Sequence, residues 1–182
     1  MLNQKLIQIL HHNNNLLRDL GLVKGLGLPQ WCIAAGYVRN YVWDYLHGFA
    51  SRTSLNDVDV LYFDPTDIRE EAEKTYELEL KGKVADYNWS VKNQARMHIR
   101  NHCNPYTDVA DAMKRWPETA TATGVSLDHN GNVTIIAPHG LEDLFDLTIR
   151  KSPYFEDREY FYARIENKKW ISTWPKLKIV DI

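Results

Sequence analysis

"AAGYVRNYVWDYLHG" (residues 34–48) is followed at residues 55–64 by "LNDVDVLYFD". Ahead of Gly36, "QWCIAA" reads as a short buried strand that the glycine breaks. Beyond it, Val38, Tyr41, Val42, Tyr45 and Leu46 recur at i, i+3, i+4, i+7 and i+8. That spacing predicts one apolar stripe of a helix, which Gly48 ends. "DVDVLYF" alternates instead: Val58, Val60 and Tyr62 share one face of a strand, Asp57, Asp59 and Leu61 the other. A strand, a small-residue turn, a helix and then a strand with two acids one residue apart predict an α+β fold.

The same two stretches carry the chemistry. Residues i and i+2 on a strand lie about 7 Å apart and point the same way. Asp57 and Asp59 can therefore converge on one Mg²⁺ (or Mn²⁺), an ion that binds few protein carboxylates and leaves positions for phosphates. The competing reading is the solvated face of an edge strand. Ala35, Gly36 and Tyr37 open the helix. Small residues there let a backbone approach a ligand, and a helix N-terminus offers N–H groups and a positive dipole end. Arg39, in the first turn, can reach a phosphate with its fork of donors. Asn93, Gln94 and Arg96 in "KNQARMH" either hold a base edge or a phosphate, or stabilise a strand-to-helix junction.

The whole chain bounds these readings. Its 182 residues fit one domain over 1–182, with a core of about 30–150, an N-terminal helix and a helical, basic C-terminal tail. Hydrophobic residues at 44% and aromatics at 12% exclude a disordered composition. A net charge of -2 excludes a global basic field for nucleic acid. Cys32 and Cys103 lack metal-type spacing and are expected as buried reduced thiols of a cytoplasmic protein. "MLNQKLIQILHHNNN" has no signal-peptide pattern, and no run approaches the about 18 apolar residues of a membrane span.

Elsewhere, Leu2, Leu6, Ile9, Leu10, Leu16, Leu17 and Leu20 predict one face of a helix that stops at Gly21. "DPTDIREEAEKTYELELKGK" starts like a helix near Pro65, with Ile68, Ala72 and Tyr76 on one face, although "YELEL" also alternates as a strand. "ADYNWSVKNQ" predicts a strand with Tyr87, Trp89 and Val91 toward the core. "AMKRW" predicts a short helix. "TGVSLDHNGNVTIIAP" predicts a hairpin that sets Val125 and Leu127 against Val133 and Ile135. "REYFYARIENKKW" predicts a C-terminal helix with Tyr160 and Ile165 on its apolar side. His98 and His102 would supply half a metal site only if helical.

Strand, small-glycine turn, helix and Asp-x-Asp strand resemble the active-site framework of the polymerase-β-type nucleotidyltransferases. "AAGYVRN" resembles the "GGxVRD" opening of the CCA-adding and poly(A)-polymerase enzymes, with Gly36, Val38 and Arg39 in matching places. Ala35 stands where the first glycine is usual, and Asn40 where an aspartate is. "AGYVRNYVWDYLHG", "LNDVDVLYFD", "WSVKNQARMH", "WPETATATGV" and "APHGLEDLFDL" resemble successive blocks of a mostly bacterial nucleotidyltransferase-like family, over most of residues 30 to 150.

The resemblance implies a nucleotidyltransferase-type mixed β-sheet flanked by helices. It also implies metal-dependent transfer of a nucleoside monophosphate from a nucleoside triphosphate to a hydroxyl acceptor, with Asp57 and Asp59 as catalytic and metal-binding residues. Active members of that superfamily place a third acid on a neighbouring strand. "DYNWSVKNQ" offers Ser90 there, and Asp86 lies four residues, about 13 Å, away along the strand. A second reading follows, a binding module of the same fold without turnover. A glycosyltransferase with its own Asp-x-Asp motif is a third, but only 56 residues precede Asp57. The acceptor is expected to be a small molecule or a protein rather than a long nucleic acid, and no membrane is involved.

Overall fold

The computed structural model describes residues 1–180. The chain runs α1 (Leu2–His11), α2 (Leu16–Lys24), β1 (Cys32–Ala34), α3 (Gly36–His47), β2 (Val58–Tyr62), α4 (Glu70–Lys83) and β3 (Trp89–Asn93). There follow α5 (Gln94–Arg100), α6 (Val109–Lys114), a 3₁₀ turn (Thr119–Thr121), β4 (Gly124–Leu127) and β5 (Val133–Ile136). α7 (Glu142–Phe145), β6 (Thr148–Arg150), α8 (Arg158–Asn167), α9 (Trp170–Thr173) and β7 (Lys178–Val180) complete the described residues. The fold is α+β, a mixed sheet flanked by helices. Among the described residues no helix is long and apolar enough to cross a membrane.

The main sheet has the order β3-β2-β1-β4-β5. Only β2 and β3 pair in parallel; the other three pairs are antiparallel. Register aligns Ser90 with Asp59, Asp59 with Ala34, and Ala34 with Gly124, one row across four strands. Residues directly opposite one another share a face, so this row is the floor on which Asp59 stands. The other face carries the large core. There Ile33, Val58, Val60, Val91 and Val125, with Tyr62, pack against Tyr37, Val38 and Val42 of α3. Cys32, Leu61, Val109 and Met113 form a smaller cluster on the Asp59 side.

Gly124 is dictated by packing. A methyl group there would lie 2.7 Å from Cys32 Sγ and 3.3 Å from Ala34 Cβ. Cys32 is fully buried, and burial pushes its thiol well up; Cys103 is only half-buried, and both are free.

Several local expectations change. The N-terminal helix is two helices, because Asn13 interrupts it. Its side chain accepts from the Asn15 backbone N–H at 3.1 Å, a turn that competes with helical bonding. Leu17 is consequently 55% exposed. Gly21 does not stop α2, which continues to Lys24. A mid-helix glycine costs only about 1 kcal/mol, and burial of Leu20 and Val23 on either side outweighs it.

Helix α4 begins at Glu70 rather than near Pro65. Asp64 accepts from Thr66 and Asp67 from Arg69, which holds the intervening residues in turns. "YELEL" is helical, with Leu80 buried and Leu78 exposed. The hairpin forms in the expected register. On α8 the buried pair is Phe161 and Ile165, while Tyr160 is half exposed. Helix α9 and strand β7, which pairs in parallel with β6, carry no sequence expectation.

Candidate active site

The turn between β1 and α3 is held from both sides. The Ala35 N–H donates to the Thr123 carbonyl at 3.1 Å, and the Ala35 carbonyl accepts from Val38 and Arg39 N–H groups at 3.2 and 2.9 Å. Ala35 takes φ 55, ψ -126, a left-handed conformation that favours glycine. The strain falls at the start of a helix that no side chain caps. Gly36 has room: a methyl group would lie 3.7 Å from Arg39 Nη2 and from the Asn40 amide, an ordinary contact. Packing therefore does not require glycine at 36. A missing side chain leaves the backbone open to the space in front of it.

That space is a cavity of about 400 Å³. Ala35, Gly36, Arg39, Asp57 and Asp59 all line it. Arg164, Lys168 and Trp170, from the C-terminal part of the chain, line it too. The loop residues Thr53 to Asn56 complete the rim.

Arg39 is 6% exposed. Its Nη1 donates to Thr121 Oγ1 and its Nη2 to Asn40 Oδ1, each at 2.8 Å. The guanidinium lies 4.4 Å from the Trp170 ring and 5.1 Å from the Trp43 ring. Its Nε is buried and has no hydrogen-bond partner among the described residues. Burial lowers its pKa to about 10, which leaves it cationic at neutral pH. A buried cation on the wall of a cavity is suited to an anion.

Asp59 is the complementary case. Burial first, and the charge of Asp57 second, push its pKa up to about 6; the Ser90 hydroxyl, Arg39 and Arg164 pull the other way. Two carboxylates that repel one another in a desolvated place are a donor set that fits a hard divalent cation. Among the described residues no group of three or more His, Cys, Asp or Glu side chains is placed to hold a metal. Asp86 is exposed and precedes β3. His98 sits in α5, its ring edge-on to Tyr106 at 6.5 Å, whereas His102 lies beyond the helix end.

Three sequence candidates are placed elsewhere. The Tyr37 side chain is fully buried and donates to Asp19 Oδ2 at 2.8 Å, so only its backbone belongs to the turn. Asn93 is also fully buried. It accepts from the Asp64 and Ala95 N–H groups and donates to the Asp64 and Asp67 carbonyls, which uses its whole amide in a junction. Arg96 donates to both oxygens of the buried Glu73, at 3.1 and 2.7 Å. Asn93 and Arg96 therefore serve the strand-to-helix junction and do not line the cavity. Sequence reading missed Arg164, Lys168 and Trp170. The signal was present in the i, i+4 spacing of Arg164 and Lys168 within the basic tail.

A sequence profile described as Nucleotidyltransferase matches residues 21–179. An NMR structure described as revealing a CCA-adding enzyme head domain is 30% identical, with a TM-score of 0.86, over 98% of this chain and 96% of that one. A tRNA-processing enzyme with CTP aligns at 19% identity and a TM-score of 0.54, over 89% of this chain and 43% of that one. The Thermotoga maritima CCA-adding enzyme complexed with tRNA aligns at 16% identity and a TM-score of 0.55, over 92% of this chain and 39% of that one. These last two share the fold, and this chain spans less than half of their length. No curated protein matches the sequence. The profile runs from α2 to β7, and the NMR structure matches nearly end to end: the chain belongs to the nucleotidyltransferase family.

Proposed function

We propose that the chain is one nucleotidyltransferase-like domain that moves a nucleoside monophosphate from a nucleoside triphosphate to a hydroxyl acceptor, with Mg²⁺ or Mn²⁺ as cofactor. One observation carries the reading. Asp57 and Asp59, the Gly36 turn and Arg39, from separate elements, line a single cavity. Asp57 and Asp59 would hold the metal, and a metal bound there supplies charge neutralisation for the reacting phosphates. The open backbone at Ala35, Gly36 and Tyr37 would receive the phosphate chain, and Arg39 would hold its positive charge beside it. The protein contributes position and fixed charge, which is most of what phosphoryl-type transfer asks of it. The acceptor hydroxyl would attack the α-phosphorus and pyrophosphate would leave.

Solved relatives include complexes with CTP, with ATP and with tRNA, which supports a nucleoside triphosphate as the donor here. The acceptor is proposed to be a small molecule or a protein, in keeping with a net charge of -2.

A second reading has its own observation. Ser90 occupies the register position beside Asp59 where a third carboxylate would stand. A module that binds nucleotide without turnover fits that substitution. Pyrophosphate release from each of the four ribonucleoside triphosphates, with Mg²⁺ or Mn²⁺ and a panel of hydroxyl acceptors, separates the two. Metal-dependent release that Asp57→Asn abolishes supports the transferase. Binding with no release under any condition supports the module.

A further inference from the structure

The segment Glu118 to Thr121 positions two arginines at once. Thr121 Oγ1 accepts from Arg39 at 2.8 Å. Glu118 Oε1 accepts from Arg164 Nε at 2.7 Å. Glu118 is 1% exposed, and its other oxygen is buried with no hydrogen-bond partner among the described residues. Burying a carboxylate this way is costly unless it holds something that matters, and Arg164 is what it holds.

Arg164 lies on α8 and Lys168 four residues further, at its C-cap, beside the face that buries Phe161 and Ile165. Both cations line the cavity. Glu118 engages only Nε of Arg164, so no hydrogen bond ties the two terminal nitrogens of its fork to another described residue. The Lys168 ammonium has no ion-pair or hydrogen-bond partner among the described residues. Trp170 joins the two sets, with its ring 4.4 Å from the Arg39 guanidinium and 5.8 Å from that of Arg164. Three cations, Arg39, Arg164 and Lys168, thus line the same cavity as Asp57 and Asp59. A cavity lined by both sets fits a ligand whose anionic chain meets the cations beside a metal-binding carboxylate pair.

We propose that α8 and Trp170 form the second half of the phosphate site. Arg164 and Lys168 take the outer phosphates of a nucleoside triphosphate, and Glu118 is the positioning residue that fixes Arg164. The proposal rests on the nucleotide-binding reading above, and it adds that this chain distinguishes triphosphates from monophosphates through its C-terminal segment.

Calorimetric titration of the full chain tests it, with ATP, CTP, GTP and UTP, their monophosphates, and inorganic tripolyphosphate, all with Mg²⁺. The variants are Arg164→Gln, Lys168→Gln, Glu118→Gln and the Glu118→Gln/Arg164→Gln double. Arg164→Gln and Lys168→Gln are each expected to weaken triphosphate binding about tenfold, the loss of one hydrogen bond to a charged group. Monophosphate binding should hold within a factor of about two, because those contacts lie outside it. Glu118→Gln should weaken the triphosphate alone, and the double variant should bind no worse than Arg164→Gln, the non-additivity of a residue that acts through another.

Variants that melt like wild type without ligand and keep its triphosphate-to-monophosphate ratio would overturn the proposal. If in that case wild-type binding is still lost in Asp57→Asn, the nucleotide-binding reading survives. Failure of the wild type to bind any triphosphate or tripolyphosphate overturns both.

Discussion

Ser90 stands directly opposite Asp59 across the parallel pair β2–β3, and its hydroxyl favours the ionised form of the Asp59 carboxylate. The contact offsets part of what burial and Asp57 do to Asp59. It also places a neutral donor where a third negative charge would sit. The site therefore has two carboxylates and a hydroxyl on a floor built by register, and the side chain at 90 decides how much negative charge that floor carries.

Replacing Ser90 by aspartate supplies that charge. Ser90→Asp is expected to lower the melting temperature without metal, since a third carboxylate meets two that already repel. With Mg²⁺ it is expected to raise pyrophosphate release by about a hundredfold, the lower range of a positioned general base. The melting curves check the first part and a pyrophosphate assay the second. A variant as slow as wild type would show that proton removal is not what limits turnover.

Asp59 sets a pH dependence of stability. Its folded pKa of about 6 lies above its ordinary 3.8, so the folded state holds the extra proton between those values. The ionised carboxylate costs stability above about pH 6, and the cost fades as pH falls toward 4. Asp59→Asn should stabilise the metal-free protein at pH 8 by on the order of 1–2 kcal/mol, and by about a third of that at pH 4.5. Urea denaturation at the two pH values measures the difference. Equal effects at both would remove burial as the cause.

Ala35 holds a conformation that glycine adopts freely. Ala35→Gly is expected to stabilise the fold by about 1 kcal/mol, the relief of left-handed strain less the extra entropy of an unfolded glycine. Ala35→Val, branched at Cβ, should destabilise it. A shift in the urea midpoint at constant slope is the readout.

The junction residues should behave differently from the cavity residues. Asn93→Ala leaves two buried N–H groups without partners, and should cost about 2 kcal/mol. Arg96→Ala leaves the fully buried Glu73 without its main cation, and should cost at least as much. Neither should change nucleotide affinity once the protein is folded. An affinity loss comparable to that of Arg39→Ala would return them to the site.

Much of this was legible in the chain. The helical period of α3, the alternation of β2 and the Asn130-Gly131 hairpin are local patterns, and each element formed, although Tyr45 of the expected α3 stripe is 52% exposed. Gly36, Arg39, Asp57 and Asp59 were legible because they sit at the ends of those elements. Asn93 and Arg96 misled because a polar cluster at a strand-to-helix junction looks alike whether it faces a ligand or caps a helix. Only the tertiary position of Glu73, 20 residues before Asn93, separates the two. Arg164, Lys168 and Trp170 were hidden for a related reason. A basic helix reads as a solvated face until the fold brings it against a turn more than a hundred residues away. The Asn13 interruption was missed because an apolar period carries no information about an asparagine that bonds its own backbone.

The most direct test is a thermal-shift titration of the purified protein with each of the four ribonucleoside triphosphates, with and without Mg²⁺ or Mn²⁺, beside Asp57→Asn and Asp59→Asn. A ligand that binds only the folded state raises the melting temperature by mass action, about 2.7 kcal/mol of added stability at a hundred times its dissociation constant. A metal-dependent rise that both variants lose is the expected result, and it places nucleotide and metal at Asp57 and Asp59. No rise with any triphosphate at concentrations of the order of the millimolar affinities that binding modules reach, or a rise unchanged in both variants, would contradict the account.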